Sequence, residues 1–152
     1  MRTDLVQTAL MINIQSKEQV QGPVLPRDLL EIWTPDSGIV LIPAGATVEI
    51  YRFEIEKTQF GVVRALAWNY YWGDSLELKI DNISVYDKPI TFSLGEYPNT
   101  VEHTLKPFSK SVVMTGTNGT SDKHFYGVMC KGYVASKSDK DILLSLVSRG
   151  VI

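Results

Sequence analysis

The side chains able to do chemistry in this 152-residue chain are few and scattered. His103 and His124 are the two histidines, and neither has a second ligand at the close spacing that histidine metal sites use. Each reads as a strand residue facing solvent or hydrogen-bonded at the edge of a core. The single cysteine, Cys130, lies in Val128-Met129-Cys130-Lys131, inside an apolar run where a thiol behaves as a small buried hydrophobe. Being alone, it excludes a disulfide within the chain. Glu54 and Glu56 share one strand parity, and with Asp74 and Glu77 they are the raw material of a two-carboxylate glycosidase. Alternating charges on a half-wet strand account for the two glutamates without any chemistry. A β-sandwich enzyme would need folding to gather Glu54, Glu56, Asp74 and His103, and no motif requires it. Asp81 and Asp87 offer oxygen ligands for calcium at a spacing that matches no calcium loop. Gly116-Thr117-Asn118-Gly119 is rich in glycine, but no helix follows it, so it reads as a tight hairpin tip and not as a phosphate cradle. Nucleophile elbows, Walker loops and dinucleotide loops are missing. No catalytic residue, cofactor or metal site is therefore expected.

One dense feature remains, the run Trp68-Asn69-Tyr70-Tyr71-Trp72. Trp68, Tyr70 and Trp72 share a strand parity and Tyr71 takes the other. Large aromatics supply the most burial per residue, so core packing is the plain explanation. Flat rings beside Asn69 and Asp74 would also suit a sugar, and Trp and Tyr are enriched in subunit interfaces. The ligand-binding alternative therefore rests on Trp68, Tyr70, Tyr71 and Trp72.

These residues sit on strands. From Ile39 to Val134 the chain alternates short apolar runs with Gly, Pro, Asn and Asp, the punctuation of an all-β sandwich or barrel. Ile39 to Ile42 closes at Pro43-Ala44-Gly45. Thr47 to Glu56 follows, and its apolar parity changes from Val48 and Ile50 to Tyr51, Phe53 and Ile55. That change predicts a bulge or a change of sheet near Ile50. Phe60 to Tyr71 is apolar on both parities apart from Arg64, as in a strand buried at the centre of a sheet. Leu76, Leu78 and Ile80 alternate with Glu77 and Lys79 in a half-buried strand, which Asp81-Asn82 interrupts. Later strands are expected over Ile90 to Leu94, Val101 to Leu105, Ser109 to Thr115 and Phe125 to Val134, the last two joined by the Asn118-Gly119 turn. Seven to nine strands suit an antiparallel sandwich or jelly roll.

Three segments follow: an N-terminal arm over 1–38, the sandwich core over 39–134, and a tail or helix over 135–152. The arm is polar and marked by Pro23 and Pro26, with Thr3 placed to cap a short helix to Ile12. In the tail, Ser138 or Asp139 is placed to cap a helix carrying Ile142, Leu143, Leu146 and Val147, stopped by Arg149-Gly150. Such a helix either covers its own sandwich or docks on a neighbour.

Charge narrows the partners. Fifteen Lys and Arg against 17 Asp and Glu give a net charge of −2, which leaves no positive surplus for phosphates and argues against nucleic acid. With 10% aromatics the chain is not of the disordered class. No apolar run is long enough for a transmembrane segment, and no signal peptide is legible at the N-terminus.

The pattern Ile42-Pro43-Ala44-Gly45-Ala46-Thr47-Val48-Glu49-Ile50, then Phe60-Gly61-Val62-Val63-Arg64-Ala65-Leu66-Ala67, then Leu76-Glu77-Leu78-Lys79-Ile80-Asp81-Asn82 resembles the β-sandwich virion proteins of bacterial and archaeal viruses, both single jelly-roll capsid proteins and capsid-decoration proteins. The likeness spans roughly 39–134. It implies a non-enzymatic subunit that forms homo-oligomers, meets other virion proteins, and is assembled in the host cytoplasm into the virion. Its arms would bury Leu5, Val6, Leu10, Ile12, Leu29, Leu30, Ile32 and Trp33 against neighbours. The alternative is a module of a virus tail or surface that binds a glycan or receptor through the aromatic run.

Overall fold

The computed structural model describes residues 24–34, 38–91 and 99–152; side chains are described up to Ile32 in the first strand and from Lys106 in the seventh. The strands are β1 (Leu30–Thr34), β2 (Val40–Ile42), β3 (Thr47–Glu54), β4 (Gln59–Trp68), β5 (Ser75–Ile80), β6 (Ile83–Ser84), β7 (Asn99–Phe108), β8 (Ser111–Thr117), β9 (His124–Tyr126) and β10 (Val128–Ser136). A 3-10 turn over Lys137–Asp139 leads into α1 (Lys140–Ser148).

The protein is an antiparallel β-sandwich. One sheet has the order β1-β10-β4-β7 and the other β3-β8-β5-β6, while β2 and β9 form a small separate ribbon. Setting that ribbon aside, the eight other strands among the described residues pair in nested fashion. The first pairs with the last, β3 with β8, β4 with β7, and β5 with β6. A long double-stranded ribbon rolled onto itself gives this order, which is the jelly roll. One end of the roll therefore carries the tight connections, at 55–58, 81–82 and 109–110, and the other carries the long ones, at 69–74 and 118–123.

Two bulges place the apolar residues. In β3 the register against β8 shifts between Glu49 and Tyr51, so Ile50 is the extra residue and the parity change read from the sequence is a bulge. It lets Ile50 and Tyr51, adjacent in sequence, both be buried in the inter-sheet core. In β4 the register shifts around Arg64 against both neighbours. Before it, Phe60 and Val62 belong to an outer core under α1; after it, Leu66 and Trp68 belong to the core between the sheets. Central burial of this strand, expected from apolar residues on both parities, has this cause. Opposite the bulge, a side chain on Gly132 would meet the Val62 carbonyl oxygen at 2.3 Å, so only glycine fits the close approach.

The half-buried strand is β5, with Leu76 and Leu78 buried. It ends where Asp81 and Asn82 both take positive φ, 55° and 66°, a two-residue turn that returns the chain along itself as β6. The Asn118-Gly119 hairpin, by contrast, does not form. Neither residue is among those with positive φ, and β8 pairs with β3 and β5, not with the strand that follows. The chain instead crosses between layers there. The single strand expected over Phe125 to Val134 is two strands, β9 on the ribbon and β10 in the main sheet.

Strands also lie outside the 39–134 stretch read as the core. β1 lies inside the stretch assigned to the arm, yet it pairs with β10 from Leu30↔Val134 to Thr34↔Cys130. Ile32, expected to face a neighbouring subunit, is 4% exposed in this chain's own core, because a strand beside β10 must turn alternate residues inward. Leu29 packs beneath α1 and Leu30 is exposed. Trp33 is on β1 with its side chain outside the description, and Leu5, Val6, Leu10 and Ile12 lie outside the described residues. At the other boundary β10 continues to Ser136. α1 then covers its own sandwich, burying Leu143 and Val147 against Phe60, Val62 and Ala135. Asp139 holds the N-cap position without a side-chain bond. The helix stops as read, with Gly150 N–H donating to Val147 and Val151 N–H to Leu146, a Schellman pair. No helix among the described residues is long and apolar enough to cross a membrane.

Candidate functional site

The polar groups converge at the long-connection end. Asp74, just ahead of β5, has a fully buried carboxylate. Its Oδ2 accepts a hydrogen bond from the Tyr126 hydroxyl at 2.7 Å and pairs with His124 Nδ1 at 2.6 Å. Its Oδ1 accepts from Gly119 N–H at 3.3 Å. A side chain at Gly119 would meet the Gly73 carbonyl oxygen at 2.3 Å, so the glycine lets the two connections touch. The Tyr71 ring stacks on His124, 4.1 Å between centroids and 6° from parallel, and Tyr71 N–H donates to the Tyr126 hydroxyl.

Asn118 extends the cluster. Its Nδ2 donates to the carbonyls of Ile42, 3.0 Å, and Asp122, 2.6 Å. Its Oδ1 accepts from Thr120 N–H, 2.9 Å, and Thr120 Oγ1, 2.8 Å. All four hydrogen-bonding positions of the amide are used, which a fully buried amide requires. Asn69 ties the turn between β9 and β10 with two bonds, donating to Phe125 O and accepting from Gly127 N–H. These side chains join the connections at 69–74 and 118–123 to the β2–β9 ribbon.

Thr120 Oγ1 lies 3.4 Å from His124 Nε2, so Thr120, His124 and Asp74 are connected like a nucleophile, base and orienting acid. The hydroxyl has one proton, and its shortest contact is to Asn118 Oδ1. Donated there, that proton is not available to the imidazole. Burial first, and the Asp74 carboxylate second, push the Tyr126 phenol far above its ordinary value of 10.0, so it stays a neutral donor. Burial likewise raises the Cys130 thiol, which makes it inert as a nucleophile.

The acids grouped for an enzyme have separate partners. Glu54 pairs with Arg52 at 2.7 Å, and Arg52 also holds Glu49 at 2.8 Å, all on the exposed face of β3. The Arg52 bond holds the Glu49 carboxyl below its usual range. Asp74 is buried with His124 and Tyr126 instead. Glu77 bonds the Ser84 hydroxyl. His103 is on β7, with its side chain outside the description. The Asp81 carboxylate accepts from the backbone N–H groups of Ser109, Lys110 and Ser111. Among the described residues no group of three His, Cys, Asp or Glu is placed to hold a metal.

The aromatic run is divided among environments. Trp68 is 4% exposed and Trp72 80%. Tyr70 donates toward the carbonyls of Asp74 and Thr91, and its ring meets Trp72 edge-on. Trp68, Tyr70, Tyr71 and Trp72 thus form no common platform, because the chain leaves the strand after Trp68 and its parity no longer applies. Of this hub, the sequence offers three signals: Asp74 is an acid beside the aromatic run, His124 is one of two histidines, and Asn69 is a polar residue set among large aromatics. Asn118, Thr120 and Tyr126 carry none.

The outer surface is apolar in places. Leu41 and Phe125 face each other across the β2–β9 ribbon, 43% and 45% exposed. Ile39, Trp72, Ile83 and Met129 are exposed as well.

No family model and no curated protein sequence matches the chain. Among solved structures it is similar to the VP2 subviral particle of infectious bursal disease virus, with 13% identity over 75% of this chain and a TM-score of 0.39. It is similar to the T=1 particles derived from that virus, with 14% identity over 77% and a TM-score of 0.39. The Gt strain of the virus gives 13% identity over 75% and a TM-score of 0.41. The chain spans about a third of the length of those proteins, 34%, 33% and 34% in turn.

Proposed function

We propose that this chain is a virion structural protein, a capsid or capsid-decorating subunit that works by symmetric self-association. The observation that carries the reading is the nested jelly-roll pairing with its polar groups spent on the fold itself. The carboxylate of Asp74, the amide of Asn118 and the hydroxyl of Thr120 tie connections together and hold nothing in reserve for a substrate. Jelly rolls serve as capsid subunits and as lectin domains, and the choice between them falls on the surface. Leu41, Phe125, Ile39 and Ile83 leave apolar area exposed, as interfaces do. A net charge of −2 allows many copies to pack without strong mutual repulsion. Assembly in a host cytoplasm and residence in the virion follow from this role.

Negative-stain imaging and sedimentation of the full-length chain test it. Closed shells or regular oligomers are expected. A strict monomer at high concentration overturns it. Removal of residues 1–23 is expected to leave the sandwich folded, since the paired strands among the described residues begin at Leu30, and to weaken assembly. The exposure of Trp72 favours a second reading, a glycan or receptor contact centred on that residue. Glycan-array binding that disappears in Trp72→Ala, with stability unchanged, would replace the first reading with this one.

A further inference from the structure

Asparagine is a thermally labile residue, and most so where glycine follows it, because no side chain then shields the next backbone nitrogen. Of Asn13, Asn69, Asn82, Asn99 and Asn118, only Asn118 precedes glycine. The fold forces this pair on the sequence. Gly119 is required because a side chain there would meet the Gly73 carbonyl oxygen at 2.3 Å. Asn118 is required because one side chain donates to the carbonyls of Ile42 and Asp122 and accepts from two donors of Thr120. Only a primary amide does both.

Deamidation of such a pair begins when the Gly119 nitrogen, having given its proton to hydroxide, attacks Cγ of Asn118. A C–N bond forms, the bond from Cγ to Nδ2 breaks, and Nδ2 takes a proton from water and leaves as ammonia. Water then opens the cyclic imide at either carbonyl, so that aspartate or isoaspartate stands at 118. Ring closure must bring Cγ and the Gly119 nitrogen to bonding distance, and the groups that would move are held. Asn118 N–H donates to Ala46 O, and the Asn118 carbonyl accepts from Gly45 N–H, both at 2.9 Å. Gly119 N–H donates to Asp74 Oδ1 at 3.3 Å, and the carboxylate opposes loss of that proton. The side-chain amide is fully buried with its four positions in use.

We propose that Asn118-Gly119 is a latent deamidation site which the folded hub holds shut, and that it makes opening of the 118–123 connection irreversible. Aspartate at 118 would set an ionised oxygen against the carbonyls of Ile42 and Asp122, acceptors facing acceptors in a buried place. Isoaspartate lengthens the backbone by a methylene between the bonds to Gly45 and to Asp74. Either product keeps the connection from returning.

The full-length chain is held at mildly alkaline pH with and without an unfolding concentration of urea, and the peptide containing position 118 is followed by mass spectrometry. In urea, Asn118 is expected to convert first among the asparagines. In the folded chain it should convert at least about tenfold more slowly. After urea is removed, the fraction regaining folded tryptophan fluorescence should fall in step with the fraction still carrying Asn118. Thr120→Ala, which takes one donor from Oδ1, is expected to stay folded and to convert several-fold faster than the folded parent. Equal rates with and without urea overturn the proposal, as does an unchanged rate in folded Thr120→Ala. Chains modified at 118 that refold to the parent's stability overturn the irreversibility.

Discussion

Each end of the jelly roll is tied by one aspartate, and the two do it by opposite means. Asp74, at the end with long connections, is buried and reads side chains, Tyr126 and His124, together with one backbone N–H. Asp81, at the end with tight connections, sits in a turn of positive φ and reads only backbone, the N–H groups of Ser109, Lys110 and Ser111. Long connections have freedom to lose, so fixing them takes a network of several residues with every position satisfied. Tight turns are already short of conformations, and one carboxylate over three successive N–H groups completes them. The difference predicts that the two aspartates fail differently when altered.

The largest effect belongs to Asp74→Ala, expected to cost about 3–5 kcal/mol because it strands a buried phenol and imidazole without an acceptor. Denaturant unfolding measures it. A cost under about 1 kcal/mol would mean that water replaces the carboxylate, and the contrast between the ends would disappear. Asp81→Ala should cost less, about 1–3 kcal/mol, since its three N–H donors lie at a wetter turn and can turn to solvent. Hydrogen exchange is expected to show the loss confined to 81–84 and 109–111. Protection lost equally at 118–126 would show the two ends to be one cooperative unit.

Tyr126→Phe is expected to cost about 1.5–3 kcal/mol at neutral pH, since it removes a hydrogen bond to a carboxylate and the acceptor of Tyr71 N–H. It also carries a pH signature. The folded phenol titrates well above its ordinary value of 10.0, so above that pH the unfolded chain releases a proton that the folded chain keeps. Stability associated with Tyr126 is thus whole below pH 10 and falls as pH rises beyond it. In Tyr126→Phe the alkaline slope should flatten, and an unchanged slope would move the effect to another tyrosine. Smallest is Trp72→Ala, expected within about 0.5 kcal/mol of the parent because the side chain is 80% exposed. A larger loss would place Trp72 in the structural hub with Tyr70 and Tyr71.

Much of the strand framework was legible in the chain because sheets have a period of two. The parity change at Ile50, the wet and dry faces of β5 and the central burial of β4 all follow from it. Local turn chemistry was a weaker guide. Asp81-Asn82 forms the tight turn, whereas Asn118-Gly119, with the stronger hairpin signature, does not. The strand that would have completed a hairpin with β8 belongs to the other sheet, and Asn118 is drawn into a buried network. The hub itself was almost invisible, since its members are separated by up to 57 residues from Asn69 to Tyr126 and none forms a spaced motif.

What the sequence by itself determined is the kind of object: an all-β chain with apolar faces at strand period, a lone thiol in an apolar run, a short amphipathic helix ended at Gly150, and a net charge of only −2. What only the tertiary structure decided is which strands are neighbours, which aspartate is buried, and that Ile32 and α1 serve this chain's own cores. Periodicity is a local property that fixes which face of a strand is apolar. Pairing between segments as distant as Leu30 and Val134 depends on closing the whole roll, and no local pattern records it.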